Sequence, residues 1–555
     1  MDLPSDFKDA LIEARKMHAQ GRLLEAERIY RVLAAPGPHR GIALESLADL
    51  YVHQQRLDEA HSVLSALTEE DPDNLHYCTL LANFFDSVGQ TQAAIDEYLR
   101  LLQRQPDCAV AHFNLALLYK NEQYFSEAMA AYENAVRLGI DQVEEVYSNM
   151  GTLYSEMQDA EKAREMYERA LEISPDYVPA LFNLAGHFEE SGEKQLAIEH
   201  YERILCIDPR HWKSLARLAY PEKITAEDRD LIDRLKACVD DMKDDKRAQE
   251  GLYFALGKAY DDLESYDEAS AAFVAANELS KERVRPYAPA ATEKAFDQLI
   301  DIFSSSWIER ATTDSEVSPI FICGMYRSGS TLLERMLAAH PAIAAGGELN
   351  TLAWLISRHL GPFPQAAAAA SREQLGRIAE QYDARVRELV PDSPRVTDKR
   401  PDNFLRLGLI RAIFPAGKII QTRRDIRGNS LSLYFQQFDR AASYANDLQH
   451  IVHYYEQQER LFAHWQACFG DSICVVDYEE LVVSPEPVLR RVLEFLGLEW
   501  DVGVLDFQKS SGLVKTASIW QVRQGLHSRS KDRWRNYGSL LGSLTELAPP
   551  DETPA

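Results

Sequence analysis

A short loop at residues 324–331, GMYRSGST, has the residue types and spacing of an anion-binding element. The apolar run at residues 320–323 precedes it and predicts one buried strand. Apolar residues at helical spacing follow it as far as His340-Pro341 and predict a helix. A strand, a glycine-bounded loop and a helix N-terminus together form an anion cradle, because free backbone N–H groups and the helix dipole both face the loop.

The charge of this loop indicates which anion it suits. Its spacing resembles that of the nucleotide-binding P-loop, since Gly324 and Gly329 lie five residues apart, but Ser330 stands where such a loop has lysine. The missing cation argues against a Mg-ATP site. Arg327 supplies the only charge, which suits a less charged group such as a sulfuryl ester on a nucleotide 5′-phosphate. The loop is similar to the 5′-phosphosulfate loop of sulfotransferases that use 3′-phosphoadenosine-5′-phosphosulfate (PAPS). This resemblance implies that the donor is bound by Arg327, Ser328, Gly329, Ser330 and Thr331.

A second phosphate-binding element follows about 100 residues later. Arg424 lies just after the predicted strand at residues 418–422, and Ser432 lies eight positions further, two turns into the next predicted helix. The two side chains can therefore converge on one phosphate. The pair resembles the 3′-phosphate element of sulfotransferases, which distinguishes PAPS from nucleotides without a 3′-phosphate. The alternative, a charged loop followed by a helix serine, becomes the minor interpretation once the 5′ loop is also present.

The closer similarity is to protein-tyrosine sulfotransferases and bacterial repeat-fused sulfotransferases, over roughly residues 318 to 538. It implies that Glu348, which follows His340-Pro341 at the family's spacing, is the general base. It also implies that the bridging oxygen of the departing PAP is stabilised, without a metal, by Arg327, Lys399 and Ser518. The resemblance also matches Tyr478 to a nucleotide-contacting tyrosine. We further expect Gln521 to bind the nucleotide, and Arg523 or Arg533 to reach its phosphates.

The chain departs from the protein-tyrosine sulfotransferase pattern at four positions. Tyr326 stands where those enzymes have proline, and Ser330 where they have threonine. Gln436 and Asn350 each replace an arginine, the second near the acceptor. These differences put the identity of the acceptor in doubt more than the identity of the donor.

The elements that must position these residues begin near residue 318. Short β-branched runs at residues 320–323, 396–398, 418–422 and 472–477 predict strands, and residues 403–414 and 426–438 predict helices between them. Such alternation indicates a parallel sheet covered on both faces, with catalytic groups at the carboxyl ends of the strands.

The amino-terminal half repeats with a period of 34 or 35 residues. The repeated position is held by Ala26, Ala60, Ala94, Ala128, Ala163 and Ala197. Four residues further on stand Tyr30, Leu64, Tyr98, Tyr132, Tyr167 and Tyr201. The pattern resembles the tetratricopeptide repeat, with a seventh unit at residues 252–276 and an irregular stretch at 219–246. Such arrays form a superhelix whose concave face binds peptides or proteins; alternatively, the array only scaffolds or dimerises the other domain.

Composition narrows the class of protein. The formal charge of −27 argues against general nucleic-acid or anionic-membrane binding. The seven scattered cysteines are typical of reduced thiols in a cytosol. The N-terminus shows no secretory apolar region and the chain no 18-residue apolar run, so we expect a cytoplasmic protein.

We therefore predict an α-helical tetratricopeptide superhelix at 1–290, a linker at 291–317, an α/β P-loop-like sulfotransferase domain with a parallel sheet at 318–540, and a disordered tail at 541–555. The expected reaction is sulfuryl transfer from PAPS to a hydroxyl, foremost a protein or peptide tyrosine, with no metal. The repeats would recruit the acceptor or a partner, and a homodimer is possible. Three alternatives stay open: a small-molecule or saccharide sulfotransferase with scaffolding repeats, a catalytically inactive binding scaffold and, more remotely, a Mg-dependent kinase.

Overall fold

The structure is a computed structural model that describes residues 5–391, 395–438, 440–509, 513–516, 519–523 and 529–546. The chain divides into two compact units, Met1–Met157 with Glu168–Pro175 and Gln158–Tyr167 with Asp176–Ala555. Within the described residues, no helix combines the length and the apolar character needed to span a bilayer.

The first unit consists of antiparallel helix pairs. Its helices are α1 (Ser5–Ala19), α2 (Leu23–Leu33), α3 (Arg40–His53), α4 (Leu57–Glu70), α5 (Leu75–Ser87), α6 (Thr91–Arg104), α7 (Ala109–Asn121), α8 (Phe125–Arg137) and α9 (Val143–Glu156). α10 (Ala160–Ile173) contributes residues to both units. The repeated alanines are completely buried, and their partners four residues on are at most 4% exposed. The small side chain lets paired helices approach closely, which confirms the tetratricopeptide architecture.

The second unit begins with further helices of the same kind. These are α11 (Val178–Ser191), α12 (Lys194–Ile207), α13 (Trp212–Arg217), α14 (Arg229–Asp241), α15 (Lys246–Asp262) and α16 (Tyr266–Arg283). The predicted seventh repeat is the hairpin of α15 and α16, and both of its helices extend beyond the predicted bounds. α14 lies in the stretch predicted as irregular.

The segment 291–317, predicted as a linker, is largely helical. It contains most of α17 (Pro289–Ile302) and all of α18 (Ser305–Ala311). Phe296, Phe303 and Trp307 are at most 5% exposed and pack in the same core as Trp465 of the following domain. Burial of these large apolar side chains holds the segment as helix against the domain.

The remainder of the second unit is a parallel sheet of order β2-β3-β1-β4-β5 with helices around it. The strands are β1 (Ile320–Gly324), β2 (Ala344–Ala345), β3 (Val396–Lys399), β4 (Lys418–Arg423) and β5 (Ile473–Asp477). The helices are α19 (Ser330–Ala338), α20 (Thr351–Leu360), α21 (Gln365–Ala368), α22 (Arg372–Leu389), α23 (Leu407–Ile413), α24 (Ile426–Tyr434), α25 (Leu448–Phe469), α26 (Tyr478–Val483), α27 (Pro485–Leu496), α28 (Arg529–Asp532) and α29 (Gly538–Leu541). The four predicted strands are confirmed, and β2, with two residues, was too short to predict.

Two predicted helices are shorter in the structure. The stretch 403–414 begins as the 3-10 turn Pro401–Arg406 and becomes α23 only from Leu407, and α24 ends at Tyr434 rather than at 438. At the carboxyl end, Leu541 and Leu544 are 3% and 8% exposed, so the packed chain continues beyond residue 540 and the predicted tail begins too early. Residues 547–555 lie outside the described residues.

Candidate functional site

The loop between β1 and α19 is held in a conformation that depends on glycine. Gly329 has φ +97°, and a Cβ added there would lie 2.6 Å from Cδ2 of Tyr478. Gly324 has φ +153°, and a Cβ there would lie 2.3 Å from the carbonyl oxygen of Thr422. The loop is therefore pressed against β4 and the residue that follows β5. α19 begins at Ser330, so the N–H groups of its first turn are directed at the space in front of the loop.

A cavity of about 870 Å³ opens in front of this loop. It is lined by nine of the predicted donor-binding residues, namely Arg327, Gly329, Ser330, Thr331, Arg424, Ser432, Tyr478, Gln521 and Arg533. The structure thus brings together the predicted 5′ loop and the predicted 3′ element, which lie about 100 residues apart in the chain.

Arg327 connects these parts of the cavity wall. Its Nε donates to Oγ of Ser432 at 3.1 Å, and its Nη2 donates to Oε1 of Gln521 at 2.7 Å. Arg424 donates from Nη1 to the Arg327 carbonyl oxygen at 3.0 Å. The Arg424 guanidinium also lies 4.5 Å from the ring centroid of Tyr478. These contacts fix two guanidinium groups beside the helix N-terminus.

The electrostatics beside the glycine loop favour an anion. Burial and the nearby positive charge of Arg424 lower the pKa of Arg327 to about 10. Burial also lowers the pKa of Arg424, and the charge of Arg533 acts in the same direction. Cations held together and away from water are stabilised by a bound anion, because each phosphate or sulfate oxygen accepts charge-assisted hydrogen bonds. The residues present therefore fit a nucleotide that carries phosphate and sulfuryl groups.

Two predicted site residues, Ser328 and Arg523, are placed differently, and a third lies outside the described residues. Ser328 is 1% exposed, and its hydroxyl lies 2.6 Å from the Thr422 hydroxyl and donates to the Met325 carbonyl, so the side chain braces the loop instead of facing the cavity. Arg523 donates to the carbonyl oxygen of Glu190 and is not part of the cavity lining. Ser518 lies outside the described residues.

The predicted base and lysine form an ion pair at the same edge of the sheet. Lys399 ends β3, and its side chain is completely buried, with Nζ 2.5 Å from Oε1 of Glu348. Glu348 is 40% exposed. Lys399 is in register with Ile322 of β1, two residues before the cradle begins at Gly324. The pair therefore lies beside the loop, although neither residue lines the cavity in front of it.

Glu334, on the helix that follows the cradle, is a buried carboxylate that sequence reasoning missed. It is 4% exposed, and its Oε1 accepts from the Thr397 hydroxyl at 2.6 Å and from the Gly347 N–H at 3.0 Å. Burial raises the pKa of Glu334. The hydrogen bond from Gly347 fixes the position of the residue immediately before Glu348. The sequence signal that could have identified Glu334 is an acidic residue within the largely apolar helical segment LLERML.

The repeats also contribute to the cavity wall, which the sequence did not indicate. Lining residues from this part of the chain are Lys223, Asp261, Asp262, Glu264 and Tyr266. Asp261 forms an ion pair with Arg533, with Oδ2 2.5 Å from Nη2. Among the described residues no cluster of three or more His, Cys, Asp or Glu side chains is arranged to hold a metal ion.

Comparison with known families agrees with this architecture. Residues 319–502 match a family model described as the sulfotransferase family. Models described as the tetratricopeptide repeat match residues 17–84, 80–142, 142–209 and 251–283. The chain therefore combines tetratricopeptide repeats with a sulfotransferase-family domain.

Individual relatives share 30% identity or less with this chain over the matched residues. An uncharacterized protein of Aquifex aeolicus is 30% identical over 401 residues, which are 70% of this chain and 52% of that protein. Protein-tyrosine sulfotransferase A of Caenorhabditis elegans is 26% identical over 228 residues, 39% of this chain and 58% of the relative. The protein-tyrosine sulfotransferase of Drosophila melanogaster is 26% identical over 301 residues, 50% of this chain and 56% of the relative. The chain thus spans about half the length of these curated relatives.

Proposed function

We propose that this chain transfers a sulfuryl group from PAPS to the hydroxyl of a protein or peptide tyrosine. The observation that carries the proposal is the junction of Arg327, Arg424 and Ser432 at the helix N-terminus that follows the glycine loop. A nucleotide with anions at both its 5′ and 3′ positions matches a cavity wall with cations from both elements.

The chemistry is an in-line displacement at sulfur. The acceptor oxygen forms a bond to sulfur while the bond from sulfur to the bridging phosphate oxygen breaks, and PAP leaves with that electron pair. The acceptor proton passes to a carboxylate oxygen of Glu348. Cationic and hydroxyl groups stabilise the charge that develops on the bridging oxygen, a role proposed for Arg327, Lys399 and Ser518.

The ion pair at the strand ends fits this assignment. The Lys399 side chain is completely buried and its Nζ lies 2.5 Å from Glu348 Oε1, so the contact fixes the position of both side chains. When Lys399 turns to the bridging oxygen of the donor, Glu348 is released to accept the proton.

Similarity to protein-tyrosine sulfotransferases supports tyrosine as the acceptor, and the repeats offer a surface for a polypeptide. The test is to incubate the full chain with PAPS and tyrosine-containing peptides. Mass spectrometry should show the mass gain of one sulfuryl group on tyrosine, together with acceptor-dependent release of PAP. Reaction with small phenols or saccharides alone would refute the peptide acceptor, and PAP binding with no release for any acceptor would indicate an inactive scaffold.

A variant at the base tests the mechanism itself. Glu348→Gln should retain PAP affinity, because neither Glu348 nor its partner Lys399 lines the donor cavity, and should lose about 10²- to 10⁴-fold in kcat, because the proton acceptor is lost. Glu494→Gln is the matched control, since Glu494 is exposed on α27. Turnover of Glu348→Gln within a few-fold of the control would exclude Glu348 as the base, and Mg-dependent preference for ATP over PAP would refute the donor.

A further inference from the structure

The last repeat hairpin, formed by α15 and α16, reaches the wall of the donor cavity. Asp261, in the last turn of α15, and Tyr266, the first residue of α16, both line it. Asp261 is enclosed, with a side chain only 14% exposed. A repeat that served only as a spacer would need no acidic side chain there.

Asp261 holds Arg533 by a two-point contact. Its Oδ1 accepts from Arg533 Nε at 3.2 Å and its Oδ2 accepts from Nη2 at 2.5 Å. The hydroxyl of Tyr537, which is completely buried, also donates to Oδ1. Such bidentate geometry fixes the plane and direction of a guanidinium, which a single-point contact with lysine does not.

Arg533 is part of the same positive field as the two arginines of the phosphate elements. Burial is the main cause that lowers the pKa of both Arg327 and Arg424, and the charge of Arg533 acts in the same direction. All three side chains line the cavity. The Arg533 guanidinium also lies 5.2 Å from the ring centroid of Phe435, the residue that follows α24. Arg533 is therefore held between the repeat and the helix that carries Ser432.

The same hairpin anchors the end of that helix. Asn277 of α16 donates from Nδ2 to the carbonyl oxygen of Tyr434 at 2.8 Å, two residues after Ser432. Phe273 of α16 stacks on Phe435 with ring centroids 3.7 Å apart. The hairpin thus contacts both the arginine and the end of the helix bearing the serine of the proposed 3′-phosphate site.

We propose that Asp261 is a positioning residue for donor binding: the last repeat directs Arg533 at a phosphate of the nucleotide, so that donor affinity depends on the repeat array. The inference rests on the proposed PAPS site. It assigns to the repeats a part in holding the nucleotide, in addition to any part in recruiting an acceptor.

The test measures PAP affinity of the full chain by calorimetry. Asp261→Asn keeps the side-chain shape but loses the charge that orients Arg533, and we expect affinity to fall about tenfold, the size of one charge-assisted phosphate contact. Arg533→Lys keeps a cation but loses the two-point contact with Asp261, and we expect a similar loss of PAP affinity. Because both changes remove one interaction, the double variant should lose no more than either single variant.

Asp267→Asn is the control, since Asp267 is exposed on the same hairpin and does not line the cavity. Its PAP affinity should equal that of the wild type. If Asp261→Asn does not fold, Arg533→Lys still tests the contact from the other side, and Asp261→Glu should recover part of the affinity.

The possible failures are distinguishable. Wild-type protein that does not bind PAP refutes the proposed donor. If the wild type binds PAP, two results would overturn the positioning role alone. One is unchanged or tighter PAP binding in Asp261→Asn, and the other is additive losses of affinity in the double variant. A lower melting temperature with unchanged PAP affinity would likewise show that the ion pair only ties the carboxyl-terminal segment to the repeat.

Discussion

Asp398, next to Lys399 on β3, should make the stability of the sulfotransferase domain depend on pH. The side chain is completely buried. Its Oδ1 accepts from Asn403 Nδ2 at 3.0 Å and its Oδ2 accepts from the Tyr382 hydroxyl at 2.9 Å. Burial nevertheless outweighs these hydrogen bonds and raises the pKa of Asp398 to about 7.

The sign of the effect follows from the raised pKa. The folded state holds the proton more tightly than the unfolded state, so the contribution to stability is complete below pH 3.8 and is lost as the pH rises through about 7. One pKa unit is worth about 1.4 kcal/mol, so the rise from 3.8 to about 7 corresponds to about 4 kcal/mol. This is an upper bound, since water penetration on ionisation would reduce it.

Asp398→Asn removes the ionisation and keeps a polar side chain of the same shape. The free energy of unfolding should therefore fall more steeply between pH 5 and pH 8 in the wild type than in the variant. Urea unfolding of the domain, followed by near-ultraviolet circular dichroism, measures this difference. Asp471→Asn is the control, because Asp471 is exposed and its replacement should leave the pH profile unchanged.

Comparing the two slopes isolates Asp398 from the other groups that titrate in this range. If the free energy of unfolding depends on pH equally in the wild type and in Asp398→Asn, the buried carboxyl ionises without loss of stability. That result would refute the prediction. A variant less stable than the wild type at pH 8 would show that the hydrogen bonds outweigh desolvation.

Two further predictions concern the site. Arg424→Ala should weaken PAP binding about 10- to 100-fold by calorimetry, because a charge-assisted contact is lost, while the binding of AMP, which lacks the 3′-phosphate, should change much less; equal losses for both nucleotides would contradict a 3′-phosphate role. Glu334→Ala should lower kcat about 10- to 100-fold with PAP affinity unchanged, because the Gly347 N–H and Thr397 hydroxyl lose their acceptor. Glu334→Gln should largely restore kcat, since an amide oxygen can still accept; an equal loss in both variants would argue against positioning through these hydrogen bonds.

Local patterns made much of the fold predictable from the sequence. The repeat period revealed the helix pairs because each unit buries the same alanine. β1 could be assigned because its first four residues form one apolar run, and the strand is buried throughout. The cradle followed from glycine spacing, which the positive φ angles of Gly324 and Gly329 explain.

The rest depended on contacts between distant residues. The two residues of β2 carry no periodicity, and α17 and α18 are fixed by packing against a core that their own sequence does not show. The direction of the Ser328 hydroxyl depends on Thr422, 94 residues away. The pairing of Asp261 with Arg533 spans 272 residues and has no local signal.

The docking of the last repeat has a consequence for how the array can change in length. Asp261, Asn277 and Phe273 each contact the sulfotransferase domain, so the α15–α16 hairpin occupies a fixed place next to it. Repeats can be gained or lost towards the amino terminus without disturbing these contacts. A fragment that begins at residue 318 would lack one side of the cavity, and the smallest piece that retains the whole site must include this hairpin.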